Sequence, residues 1–86
     1  MFYTYVIQSR QDRKFYTGFT NDLKKRLKEH NDGKNFSTKL RLPFEIVYYE
    51  ACIDEYDARA REKYLKTGMG KRYIKNRLKR FLSLTG

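Results

Sequence analysis

Residues 2 to 9, FYTYVIQS, and 14 to 20, KFYTGFT, are both rich in β-branched and aromatic side chains, with a polar stretch, Arg10-Gln11-Asp12-Arg13, between them. That pattern predicts a β-hairpin. A period of two places Tyr3, Tyr5 and Ile7 on one face and groups Tyr16 with Gly18, apart from Phe15, Thr17 and Phe19. Gly18 is expected to leave open space beside Tyr16. The period then becomes helical: Leu23 and Leu27 recur four apart, Thr20 or Asn21 is placed to cap, Asp22 falls in the first turn, and the helix should reach about His30. Residues 31 to 43, NDGKNFSTKLRLP, run from Asn-Asp-Gly to Pro43 and read as a long exposed connection, of a length at which loops often carry function.

Phe44 to Ala51, FEIVYYEA, forms a predicted third strand. Asp54 caps a second helix from about Glu55 to Thr67, with Gly68 at the left-handed position that follows a helix. From Lys71 onward Ile74, Leu78, Phe81 and Leu82 fall at i, i+4, i+7 and i+8, which predicts a third helix. A chain of 86 residues supports one core. The expected fold is therefore a single α/β (α+β) domain over residues 1–86, a small three-stranded antiparallel sheet flanked by about three helices. Eight Tyr and six Phe supply large buried areas to so small a core.

Charge turns the reading toward function. Twenty Lys and Arg against ten Asp and Glu leave a net charge of +10, a field that draws polyanions. Nucleic acid is the first partner this implies. The segment from Thr67 to Gly86 holds no acidic residue. Its Lys71, Arg72, Lys75 and Lys79, with Lys34, Lys39 and Arg41 of the connection, are the expected phosphate contacts. No apolar run approaches the ~18 residues of a spanning helix, and the N-terminus lacks a basic n-region before an apolar one. The expectation is no membrane partner and a cytoplasmic location. The lone Cys52 excludes an internal disulfide, no Cys/His cluster has the spacing of a zinc site, and Cys52 is read as a small core residue.

Projecting the first helix at about 100° per residue puts Arg26 and His30 on the side of Leu23 and Leu27, while Lys24, Lys25 and Lys28 point away. A cation on an apolar edge needs a reason, unless its stem packs and its guanidinium reaches outward. Glu62 likewise projects onto the margin of the stripe formed by Ala58 and Leu65. If both helices pack on the same sheet, Arg26, His30 and Glu62 converge on the strand face that exposes Tyr16.

These residues resemble the GIY-YIG nucleases, whose two strand motifs here read Tyr3-Thr4-Tyr5 and Tyr16-Thr17-Gly18. Tyr3 and Thr4 replace the glycine and isoleucine of the first motif, Phe19 stands where some relatives carry a lysine, and Asn76 aligns with a late asparagine. Arg26, His30 and Glu62 follow in the family's order, and the match spans roughly residues 2 to 76. The resemblance, nearest to single-domain members related to the nuclease module of the bacterial excision-repair incision subunit, implies a metal-dependent endonuclease acting on phosphodiesters, with weak sequence specificity or structure selectivity. It implies that Glu62 is the sole protein ligand of a divalent ion, Mg²⁺ or Mn²⁺, which keep several waters and prefer oxygen. It gives Tyr16 as general base, Arg26 as phosphate clamp, and Tyr5 and His30 as groups orienting water, phosphate or leaving group. The rival readings are a non-catalytic basic nucleic-acid-binding module of the same fold and a basic scaffold for an acidic protein.

Overall fold

The structure is a computed structural model that describes residues 1–85; Gly86, the last residue of the basic segment, lies outside the described residues. Strands β1 (Phe2–Ser9) and β2 (Phe15–Thr20) form the expected antiparallel hairpin. Helix α1 (Leu23–Asn31), strand β3 (Phe44–Cys52) and helices α2 (Glu55–Leu65), α3 (Gly68–Arg77) and α4 (Lys79–Thr85) follow. β1 is central, with β2 and β3 as antiparallel edges, in the order β2-β1-β3. The register sets Tyr5 opposite Gly18 and Ile7 opposite Tyr16, which puts those four residues on one face. A register shift at Val6/Ile7, where Val6 faces Tyr48 and Ile7 faces Ile46, leaves Val47 as an extra residue in β3.

Both faces of the sheet are covered, by different helices. On one, Tyr5, Ile7 and Phe44 are buried against Leu23 and Leu27 of α1. On the other, Val6 is buried against Leu65 of α2 and Ile74 of α3. The Thr4 hydroxyl, on that second face, donates to the Ala58 carbonyl at 2.6 Å and fixes α2 there. Arg61 ties α2 to β3 through two hydrogen bonds to Glu50, at 2.9 and 2.6 Å.

Several local expectations are corrected. Asp22, not Thr20 or Asn21, caps α1 by accepting from the Lys25 amide, while the Thr20 hydroxyl accepts from the Asp22 amide. Asp54 caps α2 as expected. That helix ends at Leu65, however, and Gly68 is not left-handed: it opens α3, capped by Thr67, whose hydroxyl accepts from the Gly70 amide. The single helix expected from Lys71 divides at Leu78, so there are four helices rather than three. Cys52 is half-buried at the end of β3, opposite Phe2, outside both core clusters.

The connection at 31 to 43 is more tightly held than its polar sequence suggested. Asn31 bonds the Phe44 backbone in both directions, at 3.0 and 2.7 Å. Ser9 donates to the Arg41 carbonyl at 2.6 Å, and the Arg10 amide donates to Pro43 at 2.9 Å. Thr38, in the middle of the loop, is fully buried.

Candidate active site

The centre of the site is the hydroxyl of Tyr5, and Gly18 makes its position possible. The Tyr5 phenol lies over residue 18 so closely that a Cβ there would collide with the ring and its oxygen. The space left by Gly18 thus belongs to Tyr5 rather than to Tyr16. Across that gap the hydroxyl meets His30 Nε2 at 2.8 Å, and Arg26 Nε donates to it at 3.3 Å. His30 Nδ1 lies 2.8 Å from the Thr38 hydroxyl, whose own proton points to the Asn35 carbonyl at 3.5 Å.

Counting donors assigns the tautomer, which is an inference from the network. With Thr38 donating to Asn35, its oxygen accepts from His30 Nδ1–H, Nε2 is left bare, and Nε2 accepts the Tyr5 proton. The Tyr5 oxygen then accepts from Arg26. Each link of the row from Arg26 through Tyr5 and His30 to Thr38 then pairs one donor with one acceptor.

Electrostatics agree with that reading. Burial first, then the neighbouring Arg26 charge, pushes the His30 pKa down to about 4, against the opposing pull of Glu29, so the ring is neutral at pH 7. Burial raises the Tyr5 phenol above its usual value, against the Arg26 hydrogen bond and charge, and the charges of Tyr16 and Glu62 act in the same direction as burial. Tyr5 is therefore held protonated at neutral pH and is no base. Four of the five predicted residues meet here, since Arg26 and His30 touch Tyr5 and Tyr16 meets the His30 ring edge-on at 5.2 Å, while Glu62 acts on Tyr5 through its charge and pairs with Lys66.

Glu62 comes from the other face of the sheet. Arg26 and His30 come from α1 on the Tyr16 face, whereas α2, which carries Glu62, packs on the opposite face. Arg26 is half-buried and held on two sides, by Tyr5 and by Glu29 at 3.3 Å, so its guanidinium reaches inward to a partner. Glu62 is half-buried, and its Oε2 pairs with Lys66 at 3.0 Å. His30 has no exposed surface and both nitrogens are engaged, one of them by the equally buried Tyr5.

Of the expected phosphate contacts, Lys71 and Lys75 stand on α3 beside Tyr16 along one groove, and Arg72 lines a separate shallow depression with Tyr73 and Asn76. Lys79 is exposed at the start of α4. Lys34 is exposed, and Lys39 is exposed with its ammonium 4.8 Å over Phe36. Arg41 is not a free cation: Nε pairs with Asp12 at 3.0 Å and the guanidinium stacks on Phe44. Three contributors escaped the sequence reading, Thr38, Glu29 and Lys66. Glu29 and Lys66 were available as partners at i+3 of Arg26 and i+4 of Glu62. Thr38 carried no periodic signal.

Residues 1–76 match the GIY-YIG catalytic domain. The chain belongs to the GIY-YIG family. It is 43% identical over 63 residues to the UPF0213 protein YazA of Bacillus subtilis, covering 72% of this chain and 63% of that protein. The UPF0213 protein of Clostridium perfringens is 40% identical over 67 residues, covering 77% of this chain and 71% of its own length. The chain thus spans just under two thirds of the Bacillus relative. No solved structure matches. In this GIY-YIG domain the two strand motifs are neighbours on β1 and β2, and the final Tyr5 of the first lies over the Gly18 that ends the second.

The donor set limits which metal could be held here. Among the described residues no three His, Cys, Asp or Glu side chains cluster so as to enclose an ion. What is available is one partly exposed carboxylate, Glu62, with Oε2 held by a displaceable surface lysine. A single carboxylate fits Mg²⁺ or Mn²⁺, which retain waters, and does not fit a caged structural ion.

Proposed function

We propose that this GIY-YIG protein is a divalent-metal-dependent endonuclease that hydrolyses phosphodiester bonds, in DNA before RNA, with weak sequence specificity or structure selectivity. The observation that carries the reading is the Tyr5 hydroxyl, which joins Arg26 to a buried neutral His30 beside Tyr16 and within the field of Glu62. Nucleic-acid binding alone needs no such buried relay.

Glu62 would hold the ion, which when bound supplies positive charge against the charge that develops on the phosphate oxygens. Arg26 is kept in one orientation by Tyr5 and Glu29, with its remaining donors free for a phosphate, a planar match that a lysine lacks. Tyr16, half-buried and with no hydrogen-bond partner for its hydroxyl among the described residues, is the group placed to take the proton of the attacking water. Tyr5 stays protonated and orients Arg26. His30 is a positioning residue that acts through Tyr5.

The test is incubation of the purified protein with nicked, branched, flapped and linear DNAs in Mg²⁺, Mn²⁺ or EDTA, beside Glu62→Gln. Cleavage in metal alone, lost in Glu62→Gln with folding and DNA binding retained, is the expected result. Binding without cleavage in any metal would leave the non-catalytic module as the reading.

A further inference from the structure

A second feature of the surface, apart from the Tyr5 relay, bears on the form of the substrate. Between β2, the end of α2, α3 and α4 runs a groove of about 600 Å³. Its floor is apolar: Val6, Phe15, Leu65, Ile74 and Leu82. Its rim is wholly cationic, with Arg13 and Lys14 from the hairpin, Lys66 from the end of α2, and Lys71 and Lys75 from α3. Tyr16 borders the groove as part of β2, with its ring turned to the opposite face against His30. Lys66 is paired with Glu62, while the other four cations have no carboxylate partner among the described residues. The hairpin holds Arg13 at φ 62°, a left-handed conformation that glycine adopts more easily, so a cation stands on this rim where the backbone favours none.

We propose that this groove binds an unpaired nucleic-acid strand, with a base against the Phe15 ring on the floor and its phosphates on the five cations. The charge excludes an acid-poor apolar occupant, because an entirely positive rim around an apolar floor complements a ligand that alternates planar apolar groups with anions. Size and chemistry exclude the duplex. A double helix presents phosphates outside and keeps its bases stacked, so it could meet the rim but would leave the apolar floor uncovered; a single nucleotide, splayed from its neighbours, fills both. The groove follows the edge strand β2, which carries Tyr16 on its other face, so a strand seated here runs along the edge of the sheet that holds the site. On the nuclease reading above, on which this step rests, the preferred substrate is then single-stranded or carries a flap or a junction with unpaired bases.

The experiment is fluorescence anisotropy on the full chain in EDTA, with three labelled ligands of equal length: an oligothymidylate, the same backbone made abasic throughout, and a blunt duplex. The base-bearing strand should bind about fivefold or more tightly than the abasic one, the lower end of what one stacked base contributes. Phe15→Leu, which keeps apolar bulk and removes the ring, should abolish that difference and leave abasic binding unchanged. Equal affinity of the parental protein for the two strands would overturn the proposal. Photocrosslinking of bromodeoxyuridine strands to the parental protein is independent of any variant's folding: adducts should map to residues 13 to 17 or to α3, and adducts confined to the 31 to 43 loop would also overturn it. The two readings fail separately. Base-dependent binding without cleavage in Mg²⁺ or Mn²⁺ removes the nuclease and keeps the groove, whereas metal-dependent cleavage with no base-dependent binding removes the groove and keeps the nuclease.

Discussion

His30 is the only histidine of the chain, so the state of the relay can be read from a single imidazole. In the folded protein its pKa is lowered to about 4, by burial and by Arg26, from an ordinary 6.5. Above pH 6.5 the ring is neutral whether the chain is folded or not, and its hydrogen-bonded contribution is complete. As pH falls from 6.5 toward 4 the unfolded chain takes up a proton that the native one refuses, and stability declines through that window. The gap amounts to on the order of 3 kcal/mol for this fully buried ring. Thermal unfolding should fall more steeply between pH 6.5 and 4 in the parental protein than in His30→Gln. The imidazole NMR signal should not move above about pH 5, and a midpoint near 6.5 would contradict the buried relay. Tyr16 tests the chemistry itself. Tyr16→Phe removes one hydroxyl and keeps the ring edge against His30, so stability should hold while single-turnover cleavage drops by about 10²-fold or more. Parental cleavage rates in that variant would remove Tyr16 from the role of base.

Helices α2 and α3 meet through a backbone contact that leaves no room for extra atoms, and two glycines separate this effect from helix propensity. A Cβ on Gly70 would collide with the Tyr64 carbonyl and the Leu65 backbone, where the start of α3 presses on the end of α2. At Gly68, two residues earlier in the same helix, nothing stands within 4 Å of an added Cβ. Gly70→Ala should therefore destabilise by about 1–3 kcal/mol, as other overpacking changes do, and Gly68→Ala should be neutral or stabilising by up to about 1 kcal/mol. Equal effects in urea unfolding would contradict the α2–α3 packing. Sequence reading treated this junction wrongly because a glycine after a helix has two physical uses, a left-handed turn and a close approach, and composition does not separate them. The hairpin, its two faces, the Leu23 and Leu27 stripe and the Asp54 cap were legible, since each follows from a local period or a local hydrogen bond. The gathering of Tyr5, Tyr16, Arg26 and His30 came from the family pattern and the helical projection together. The sheet face taken by α1 and α2 was not legible, because an apolar stripe suits either side of a sheet buried on both. Thr38 could not be found for a related reason: its partner, His30, is eight residues away across a loop with no period.

Over the whole molecule, a net charge of +10 matters less than where it is left uncompensated. Of the ten acidic residues, seven are paired with nearby Lys or Arg, and Asp22 and Asp54 are engaged as helix caps. Arg10, Arg41, Arg59 and Arg61 are among the cations consumed in this way. The free positive charge is concentrated on α3, where Lys71 and Lys75 are exposed one helical turn apart, and on the hairpin turn at Arg13 and Lys14. A cation that contacts phosphate releases counterions, so each one lost should reduce the dependence of log affinity on log salt by about 0.7 for a single strand or 0.9 for a duplex. Lys71→Gln with Lys75→Gln should thus flatten the slope by about 1.5, measured by anisotropy in EDTA over a series of NaCl concentrations. Arg41→Gln removes the same charge from the chain but takes it from the Asp12 pair, so it should lower stability and leave the slope as it was. Net charge alone predicts no ranking per residue, one charge being as good as another. If Arg41→Gln flattened the slope as much as either lysine change, binding would follow the overall field of the molecule, and the α3 face would lose its claim to the phosphates.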